Sequence, residues 1–265
     1  MSESTIPPPK MGQPDNPKLL VVIATLNERE NLPLLVPRIF GVCPAVKILV
    51  IDDDSADGTG QWCDEFKAQD ARLDVIHRVG ERGLGSAAIL GFQYGLQGSF
   101  EFIATMDADL SHDPASLKPM LEVLQEDRED RWGVVIGSRY IAGGAIHGWP
   151  WYRHLASRLV NMYVRFFLGL KTGDNTSGFR VYRSRVLRQV DLLGIDSQGY
   201  AYLEEILWRL QSIPVEMAEV PIVFTDRVKG RSKVRPGVAV QSLLQVVGMS
   251  IKNFRNPKQG KSDVS

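Results

Sequence analysis

Short apolar runs alternate with helical stretches between residues 19 and 137, and this alternation limits the possible folds more than any other feature. The runs have the length of buried strands, and the stretches between them have helical spacing. Strands are predicted at residues 19–24, 46–51, 73–76, 100–106 and 134–137. Helices are predicted at residues 31–40, 58–69, 83–96 and 114–125. Right-handed β-α-β units follow, so we expect an α/β fold with a mostly parallel sheet covered by helices on both faces.

The fourth of these strands ends in two carboxylates. Residues 102–112 read FIATMDADLSH, in which Asp107 and Asp109 follow a buried apolar run. Ligands collect at the carboxyl ends of strands in open α/β sheets. An Asp-x-Asp pair offers hard oxygen ligands to Mg²⁺ or Mn²⁺ and leaves the rest of the shell to substrate phosphates and water. The alternative is a pair of solvated aspartates before the helix that Pro114 starts. The first and second strands also end in polar residues that folding does not require, which favours metal binding.

The C-terminal half has a different character. Predicted elements there are a helix at residues 153–170, a turn into a short strand at 174–182, a helix at 202–210 and a short strand at 220–224. Arg153, Ser157 and Asn161 lie at i, i+4 and i+8 and so share one face of the first of these helices. On spacing alone, Arg153 fits a solvated helix face equally well.

Charge is unevenly distributed although the formal net charge is zero. Residues 140–171 contain arginines and a lysine but no acid, and residues 227–261 carry nine basic residues and no acidic one. An acidic metal-holding half beside basic segments suits a substrate with phosphates on both sides of the reacting bond. A solvated basic surface is the alternative. No recognised nucleic-acid-binding module is present, so we expect no nucleic-acid partner.

The two ends of the chain are predicted to lie outside the main domain, residues 18–236. Residues 1–17 contain five prolines and few bulky apolar residues, which predicts a disordered leader. Residues 237–265 are predicted to be an amphipathic helix, at 237–251, and a polar tail. That helix fits packing against the 153–170 helix, or contact with a membrane or a partner.

The cellular compartment is predicted from the targeting signals, the apolar runs and the cysteines of the sequence. Neither an apolar signal core nor a run of about 18 apolar residues is found. The two cysteines suggest neither a disulfide framework nor a zinc site. We therefore expect a cytoplasmic protein that lies, at most, peripherally on the inner face of a membrane.

Seven ordered motifs match a known family. They are ATLNERENL, ILVIDDDSADGTG, GLGSAAILGF, TMDADLSH, VIGSRY, NTSGFRVYRS and DRVKGRSKV. In this order and spacing they closely resemble the dolichol-phosphate mannose synthases, which are inverting GT-A glycosyltransferases of family two. The resemblance extends from Leu19 to about Val234. It implies a GT-A, Rossmann-like domain over residues 18–236, with a C-terminal helical and loop region for the acceptor, and a short form of the family without transmembrane helices.

The resemblance implies a sugar nucleotide, GDP-mannose, bound across the ends of the first, second and fourth strands. The family's nucleotide-contacting positions are occupied by Ala24, Leu26, Glu28, Ile51, Asp53, Asp107, Ala108 and Asp109. The family usually has Pro and Tyr where this chain has Ala24 and Leu26, which implies weaker stacking on the base. A helix-capping turn is the alternative for Asp53. Asp107 and Asp109 match the metal-binding pair, and Ser111 stands where a Gln ligand is common, with His112 or water as substitutes.

The same resemblance implies roles for several basic residues. Arg139 matches an arginine near the donor phosphates, and its alternative is a structural partner of an acidic neighbour. Arg227 and Lys233 match residues of a mobile loop that closes over the donor diphosphate. Arg153 and Ser157 match the positions that bind the lipid monophosphate acceptor. Catalytic roles are therefore expected for Asp109, Arg139, Arg227 and Lys233.

The implied reaction is metal-dependent transfer of mannose from GDP-mannose to a polyprenyl monophosphate with inversion, on a membrane surface. One rival hypothesis is a polyprenyl-phosphate glucosyl- or GlcNAc-transferase that uses a UDP-sugar. Another is a non-catalytic subunit that binds a membrane-anchoring partner through residues 237–251. A third is an enzyme with a protein or glycan acceptor, for which Glu205 is the candidate base.

Overall fold

The computed structural model of the protein describes residues 18–195, 197, 199, 201–227 and 244–250. The N-terminal half contains β1 (Leu19–Thr25), α1 (Leu32–Val42), β2 (Lys47–Asp52), α2 (Thr59–Gln69), β3 (Leu73–His77), α3 (Leu84–Gln97), β4 (Phe102–Thr105), a 3-10 turn (Pro114–Ser116), α4 (Leu117–Glu126) and β5 (Trp132–Ser138). The C-terminal half contains β6 (Ala145–His147), α5 (Trp151–Leu168), β7 (Arg180–Arg183), α6 (Ser184–Leu187), α7 (Tyr202–Leu210), β8 (Glu216–Pro221) and β9 (Val223–Thr225). Every strand and helix predicted for the first half is present at its predicted place.

Seven of the described strands form one sheet in the order β3-β2-β1-β4-β7-β5-β8. Neighbouring strands are parallel except where β7 pairs antiparallel with both β4 and β5. At the centre, Val21 of β1 pairs with Ile48 of β2 on one side and Ala104 of β4 on the other. The prediction of a mostly parallel α/β sheet is therefore confirmed.

Each face of the sheet packs against its own set of helices. Leu20 and Val22 of β1 belong to a buried cluster with side chains from α3, α5 and α7. Val21 and Ile23 belong to a second cluster with side chains from α1, α2 and α4. Alternate residues of a strand point to opposite faces, so β1 contributes to both clusters. A Cβ atom on Gly91 of α3 would lie 2.3 Å from Cγ1 of Val22, so only glycine lets α3 lie this close to β1.

A small second sheet places residues 225–227 beside the loop that follows β4. β6 and β9 are parallel, and His112 forms an isolated bridge with Phe224 of β9. The Thr225 N–H donates to the Ser111 carbonyl over 3.2 Å. The prediction of one strand at residues 220–224 is wrong in this respect. The chain leaves the main sheet at Ile222 and continues into β9, because β6 offers a second edge to pair with.

The C-terminal segment is described at residues 244–250, which are helical. Val246 and Met249 belong to the same buried cluster as Val164 and Leu168 of α5. Leu244 is exposed. The leader at residues 1–17, Lys233 and the rest of the helix predicted at 237–251 lie outside the described residues. Among the helices that the structure describes, none is long and apolar enough to cross a membrane.

Candidate active site

The loops after β1 and β2 fix each other by hydrogen bonds and form a wall at the carboxyl edge of the sheet. The Glu28 N–H donates to Thr59 Oγ1 over 2.9 Å, and the Ala56 N–H donates to Asn27 Oδ1 over 2.9 Å. Three of the predicted nucleotide-contacting residues, Ala24, Leu26 and Glu28, are half-buried along this wall. Ile51 is completely buried beneath it, so in this conformation its surface is not available to a ligand.

Asp53 is buried and makes an ion pair that the sequence did not indicate. Its Oδ1 accepts hydrogen bonds from Arg78 Nε at 2.7 Å and Nη2 at 2.5 Å, and its Oδ2 accepts one from the Gly83 N–H at 2.8 Å. Arg78 Nη1 also donates to Ser86 Oγ at 2.7 Å. Asp53 therefore does not cap a helix. It ties the end of β2 to the loop that opens α3, at the predicted nucleotide site.

Two carboxylates and a hydroxyl come together in the loop after β4. Asp109 Oδ1 accepts a hydrogen bond of 3.1 Å from the Ser111 N–H, and both residues are buried. Among the described residues, Ser111 Oγ has no hydrogen-bond partner although it is buried. The same part of the chain contains no group of three or more His, Cys, Asp or Glu side chains suited to a metal ion. Asp107, Asp109 and the Ser111 hydroxyl are hard oxygen donors, which fit Mg²⁺ or Mn²⁺ if substrate phosphates and water complete the shell.

Electrostatics at Asp107 favour a cation. Desolvation in the pocket raises the pKa of its carboxyl; His112 lowers it, the charge of Asp109 raises it further, and Arg227 and Arg139 lower it. A carboxylate with these neighbours is stabilised by an added positive charge.

His112 does not offer Nδ1 to a metal ion. Its Nδ1 accepts a hydrogen bond of 3.3 Å from the Asp107 N–H, so that lone pair is engaged. The ring stacks on Phe179 with centroids 5.1 Å apart and meets Phe224 edge-on at 5.6 Å. Burial lowers the pKa of the imidazole, and the charges of Asp107 and Asp109 only partly oppose this. The side chain instead supports the loop that carries the two aspartates.

Arg227 contacts the acidic pair directly. Its Nε lies 2.7 Å from Asp109 Oδ2, and its side chain is mostly buried. The predicted donor-phosphate arginine and the predicted metal ligand are therefore ion-paired to each other.

Arg139 is held by an acidic neighbour, which was the alternative to its role at the donor phosphates. Its Nε and Nη2 donate to the two oxygens of Asp174 at 2.7 Å each, and Nη2 also donates to Thr176 Oγ1 at 2.7 Å. Burial lowers the pKa of the guanidinium. The hydrogen bonds to Asp174 and the negative charge of Asp174 outweigh burial, so the pKa of Arg139 is raised overall. Its charge also contributes to the pKa of Asp107. Arg139 is thus a fixed cation close to the acidic pair, and Nη1 is the nitrogen not used by Asp174 or Thr176.

The predicted acceptor helix is connected to that arginine. Tyr140 Oη donates to Ser157 Oγ over 2.6 Å. Asn161 Nδ2 donates to the Ser157 carbonyl and to Thr176 Oγ1, both over 3.1 Å. Because Thr176 also accepts from Arg139, one hydroxyl links α5 to the donor-side cation.

Arg153 lies at the start of α5 beside the end of β9. Its Nη1 lies 3.1 Å from each carboxylate oxygen of Asp226, and its guanidinium carbon lies 4.1 Å from the centroid of the Trp149 ring. Arg153 and Ser157, predicted together, are thus on the same helix but have different partners.

Glu205 is not available as a catalytic base. Its Oε1 accepts hydrogen bonds from Arg209 Nε and Nη2 at 2.9 and 2.7 Å, and its Oε2 accepts one from the Ser197 N–H at 3.0 Å. The residue is also buried. The hypothesis of a Glu205 base is therefore wrong, because one oxygen is ion-paired with Arg209 of the same helix and the other holds α7 to the preceding loop.

Sequence reasoning missed the acidic partners of the site's arginines. Asp174 and Asp226 hold Arg139 and Arg153, and Thr176 joins the two regions. One signal was present for Asp226, since it directly precedes the predicted phosphate-binding Arg227. The others lie in a turn whose contacts depend on the fold.

Comparison with known proteins identifies the family. The model of glycosyl transferase family 2 matches residues 20–191. Polyprenol monophosphomannose synthase of Mycolicibacterium smegmatis is 41% identical over 244 residues, which are 92% of this chain and 91% of that protein. The chain belongs to glycosyl transferase family 2. The family predicted from the seven motifs is therefore confirmed, and with it a glycosyltransferase.

A second relative and a solved structure agree with this. Undecaprenyl-phosphate mannosyltransferase of Micrococcus luteus is 38% identical over 229 residues, covering 86% of this chain and 92% of that protein. The crystal structure of glucosyl-3-phosphoglycerate synthase from Mycobacterium tuberculosis, in complex with Mn²⁺, UDP and glucosyl-3-phosphoglycerate, has a TM-score of 0.56 at 18% identity and covers 93% of this chain and 81% of that one. That likeness confirms the GT-A fold.

Proposed function

We propose that this family 2 glycosyltransferase transfers mannose from GDP-mannose to the phosphate of a polyprenyl monophosphate, with inversion. The observation that carries the proposal is that Asp107 and Asp109 lie close to the charges of Arg139 and Arg227, while Asp226, the residue before Arg227, holds Arg153. Two relatives that match most of the chain bear the names of a polyprenol monophosphomannose synthase and an undecaprenyl-phosphate mannosyltransferase. A reaction between a sugar diphosphate and a phosphorylated lipid needs cationic groups on both sides of the anomeric carbon, which this arrangement supplies.

The acceptor phosphate attacks without help from a base. The second pKa of a phosphate monoester is about 6, so its oxygen is already ionised at neutral pH. The described carboxylates closest to the proposed acceptor region are engaged, since Asp226 holds Arg153 and Asp174 holds Arg139. In-line attack by the phosphate oxygen on the anomeric carbon breaks the bond to the departing GDP and inverts the configuration.

The departing diphosphate is the group that needs stabilisation. Arg139, which Asp174 holds rigid, and Arg227, beside Asp109, provide positive charge close to the acidic pair. Asp107, Asp109 and Ser111 would hold a divalent ion there, which supplies further charge neutralisation when bound. A preorganised charge such as that of Arg139 stabilises a transition state because it needs no reorientation during the reaction.

The donor is tested by comparing two candidate substrates in separate assays. We expect radiolabelled mannose from GDP-mannose to enter the lipid phase when undecaprenyl phosphate and Mn²⁺ are present, and a chelator to stop the transfer. UDP-glucose under the same conditions should give no transfer. Transfer from UDP-glucose alone would establish the rival glucosyltransferase, and transfer from neither donor would reject the proposed function.

We propose further that α5 rests on the membrane that presents the acceptor. Six large apolar side chains of this helix are exposed: Trp151, Tyr152, Leu155, Leu159, Met162 and Phe166. The helix contains arginines and no acidic residue, which suits an anionic lipid surface. Its first turn carries Arg153, so the proposed phosphate-binding group lies on the element that touches lipid.

Membrane contact is tested with vesicles. We expect the protein to sediment with vesicles that contain anionic phospholipid, and the Phe166→Glu and Met162→Glu variants to lose about tenfold in partitioning, since each change removes an apolar contact and adds a repelled charge. Leu34→Glu is the matched control, because Leu34 is also an exposed large apolar side chain but lies on α1. Equal sedimentation of the α5 and α1 variants would exclude α5 as the contact.

A further inference from the structure

Two consecutive residues after β9 hold opposite sides of the proposed active site. Arg227 Nε is 2.7 Å from Asp109 Oδ2, within the acidic pair. Asp226 holds Arg153 Nη1 with both of its oxygens at 3.1 Å. The donor side and the acceptor side are therefore each ion-paired to one member of the same dipeptide.

Each of these ion pairs occupies a position that a substrate needs. Asp109 Oδ1 already accepts a hydrogen bond from the Ser111 N–H, and Oδ2 is taken by Arg227. A divalent ion that binds Asp109 would therefore meet the guanidinium of Arg227 at the same carboxylate, where the two cations compete and repel each other. In the same way, an acceptor phosphate that binds Arg153 Nη1 must displace the carboxylate of Asp226.

The two exchanges are mechanically connected. The Arg227 N–H donates to Asp226 Oδ1 over 3.1 Å, so a shift of the Arg227 backbone removes one of the bonds that orient the Asp226 carboxylate. On the other side, the Asp226 N–H donates to the His147 carbonyl over 2.9 Å, and a Cβ atom on Gly148 would lie 2.9 Å from Asp226 Cβ. Residue 226 is therefore tightly seated against β6, whereas its carboxylate is held by Arg153 and the Arg227 N–H.

The Asp226–Arg153 pair is suited to exchange. The two side chains are 33% and 37% exposed, and ion pairs with this exposure are weak. The carboxylate has the charge sign and the paired oxygens of a phosphate, so it keeps the guanidinium over Trp149 in the orientation that a phosphate would find.

We infer that Asp226 is a positioning residue. Its carboxylate binds Arg153 in place of the acceptor phosphate until nucleotide and metal bind and Arg227 moves away from Asp109. This rests on the proposed function, because it takes Arg153 as the acceptor-phosphate group. Binding of nucleotide and metal then prepares the acceptor site, and the donor binds first. By linkage, the acceptor strengthens nucleotide binding by the same factor.

The test measures acceptor binding, not turnover. Farnesyl phosphate is titrated calorimetrically into the protein with and without GDP and Mn²⁺, so that no sugar is transferred. We expect GDP with Mn²⁺ to tighten farnesyl phosphate binding to the native protein at least about fivefold. In Asp226→Asn the binding without nucleotide should already be tight, and GDP with Mn²⁺ should add less than about twofold. Glu101→Gln is the control, since it removes another exposed ion-pair carboxylate, before the start of β4, and should keep the native coupling.

A second variant makes the test independent of how well Asp226→Asn folds. In Arg227→Ala, Asp109 loses its competing cation, so Mn²⁺ binding without nucleotide, followed by electron paramagnetic resonance, should become tighter. The inference would be overturned if GDP with Mn²⁺ tightened farnesyl phosphate binding to folded Asp226→Asn as much as to the native protein, or if Arg227→Ala left the Mn²⁺ affinity unchanged. In either case, mannose transfer by the native protein would leave the proposed function intact. A native protein that neither binds farnesyl phosphate nor transfers mannose would overturn both.

Discussion

Two arginine–aspartate pairs flank the proposed reaction centre, and their surroundings differ. The side chains of Arg139 and Asp174 are 8% and 0% exposed, and those of Arg153 and Asp226 are 37% and 33% exposed. In the first pair, two guanidinium nitrogens contact Asp174, the Arg139 backbone N–H also donates to Asp174, and Arg139 donates to Thr176 as well. In the second pair, a single guanidinium nitrogen contacts the Asp226 carboxylate. Removing one partner of a buried pair leaves an uncompensated charge, while an exposed pair exchanges readily with water or ligands. The Arg139–Asp174 pair is thus built into the scaffold, and the Arg153–Asp226 pair is open to replacement.

The largest expected effect is on stability when the buried pair is broken. Arg139→Ala should lower the free energy of unfolding by about 3–5 kcal/mol, because Asp174 stays buried without its cation. Urea unfolding followed by circular dichroism measures this. The double variant Arg139→Met, Asp174→Asn should recover much of the loss, since it leaves no unpaired charge. A loss below about 1 kcal/mol in Arg139→Ala would show that the pair is not part of the scaffold.

Loss of a metal ligand should instead affect the reaction and leave the fold. Asp109→Ala is expected to raise the barrier to mannose transfer by about 3–4 kcal/mol, because the departing diphosphate loses preorganised charge stabilisation. Transfer at saturating Mn²⁺ and the unfolding free energy are measured together. Asp113→Ala is the control, since this aspartate lies nearby but caps the 3-10 turn and pairs with exposed Arg38. Near-normal turnover of Asp109→Ala would reject the metal assignment.

How much of the fold and the site can be predicted from the sequence depends on how far apart in the chain the interacting residues lie. Alternation of strands and helices, the acidic pair and the helix face of Arg153 and Ser157 follow from local patterns. β6 and the first four residues of β8 were missed because these segments are short or carry exposed polar residues, and their pairing is decided by tertiary contacts. The antiparallel position of β7 between β4 and β5 has no local signal either.

Ion pairs between distant residues lie outside the reach of local patterns. Asp174 is 35 positions from Arg139, and Asp226 is 73 positions from Arg153. A single sequence shows these residues only as isolated charges in loops. The motif resemblance identified the arginines as phosphate-binding candidates, but only the fold shows which acids hold them and how deeply each pair is buried.

A third prediction concerns a buried acid on the scaffold side. Burial raises the pKa of Glu204 on α7 to about 7 from 4.5, and within the described residues its Oε2 has no hydrogen-bond partner. The folded protein keeps this proton up to about pH 7, whereas the unfolded chain releases it near pH 4.5. Stability should therefore fall as pH rises from about 4.5 to about 7 and then level off, by about 3 kcal/mol from this group.

Glu204→Gln isolates that contribution, because the amide does not titrate. The unfolding free energy of the variant minus that of the native protein should increase between pH 4 and pH 8. Glu205→Gln is the matched control on the same helix. Since Glu205 holds Arg209 and the Ser197 N–H, its substitution should reduce stability at pH 8. A pH-independent difference for Glu204→Gln would show that this carboxyl is ionised in the folded protein.

The smallest expected effect on stability is at the exposed pair, and it tests the comparison directly. Arg153→Ala should lower the free energy of unfolding by about 1 kcal/mol or less, because the pair with Asp226 is exposed and the contact with the Trp149 ring is partly solvated. The KM for the polyprenyl phosphate should nevertheless rise, since the phosphate loses a guanidinium. Arg153→Lys keeps the charge without the planar fork and should fall between the native protein and Arg153→Ala. If Arg153→Ala were as destabilising as Arg139→Ala, both pairs would belong to the scaffold. The proposed exchange of the Asp226 carboxylate for the acceptor phosphate would then have no basis.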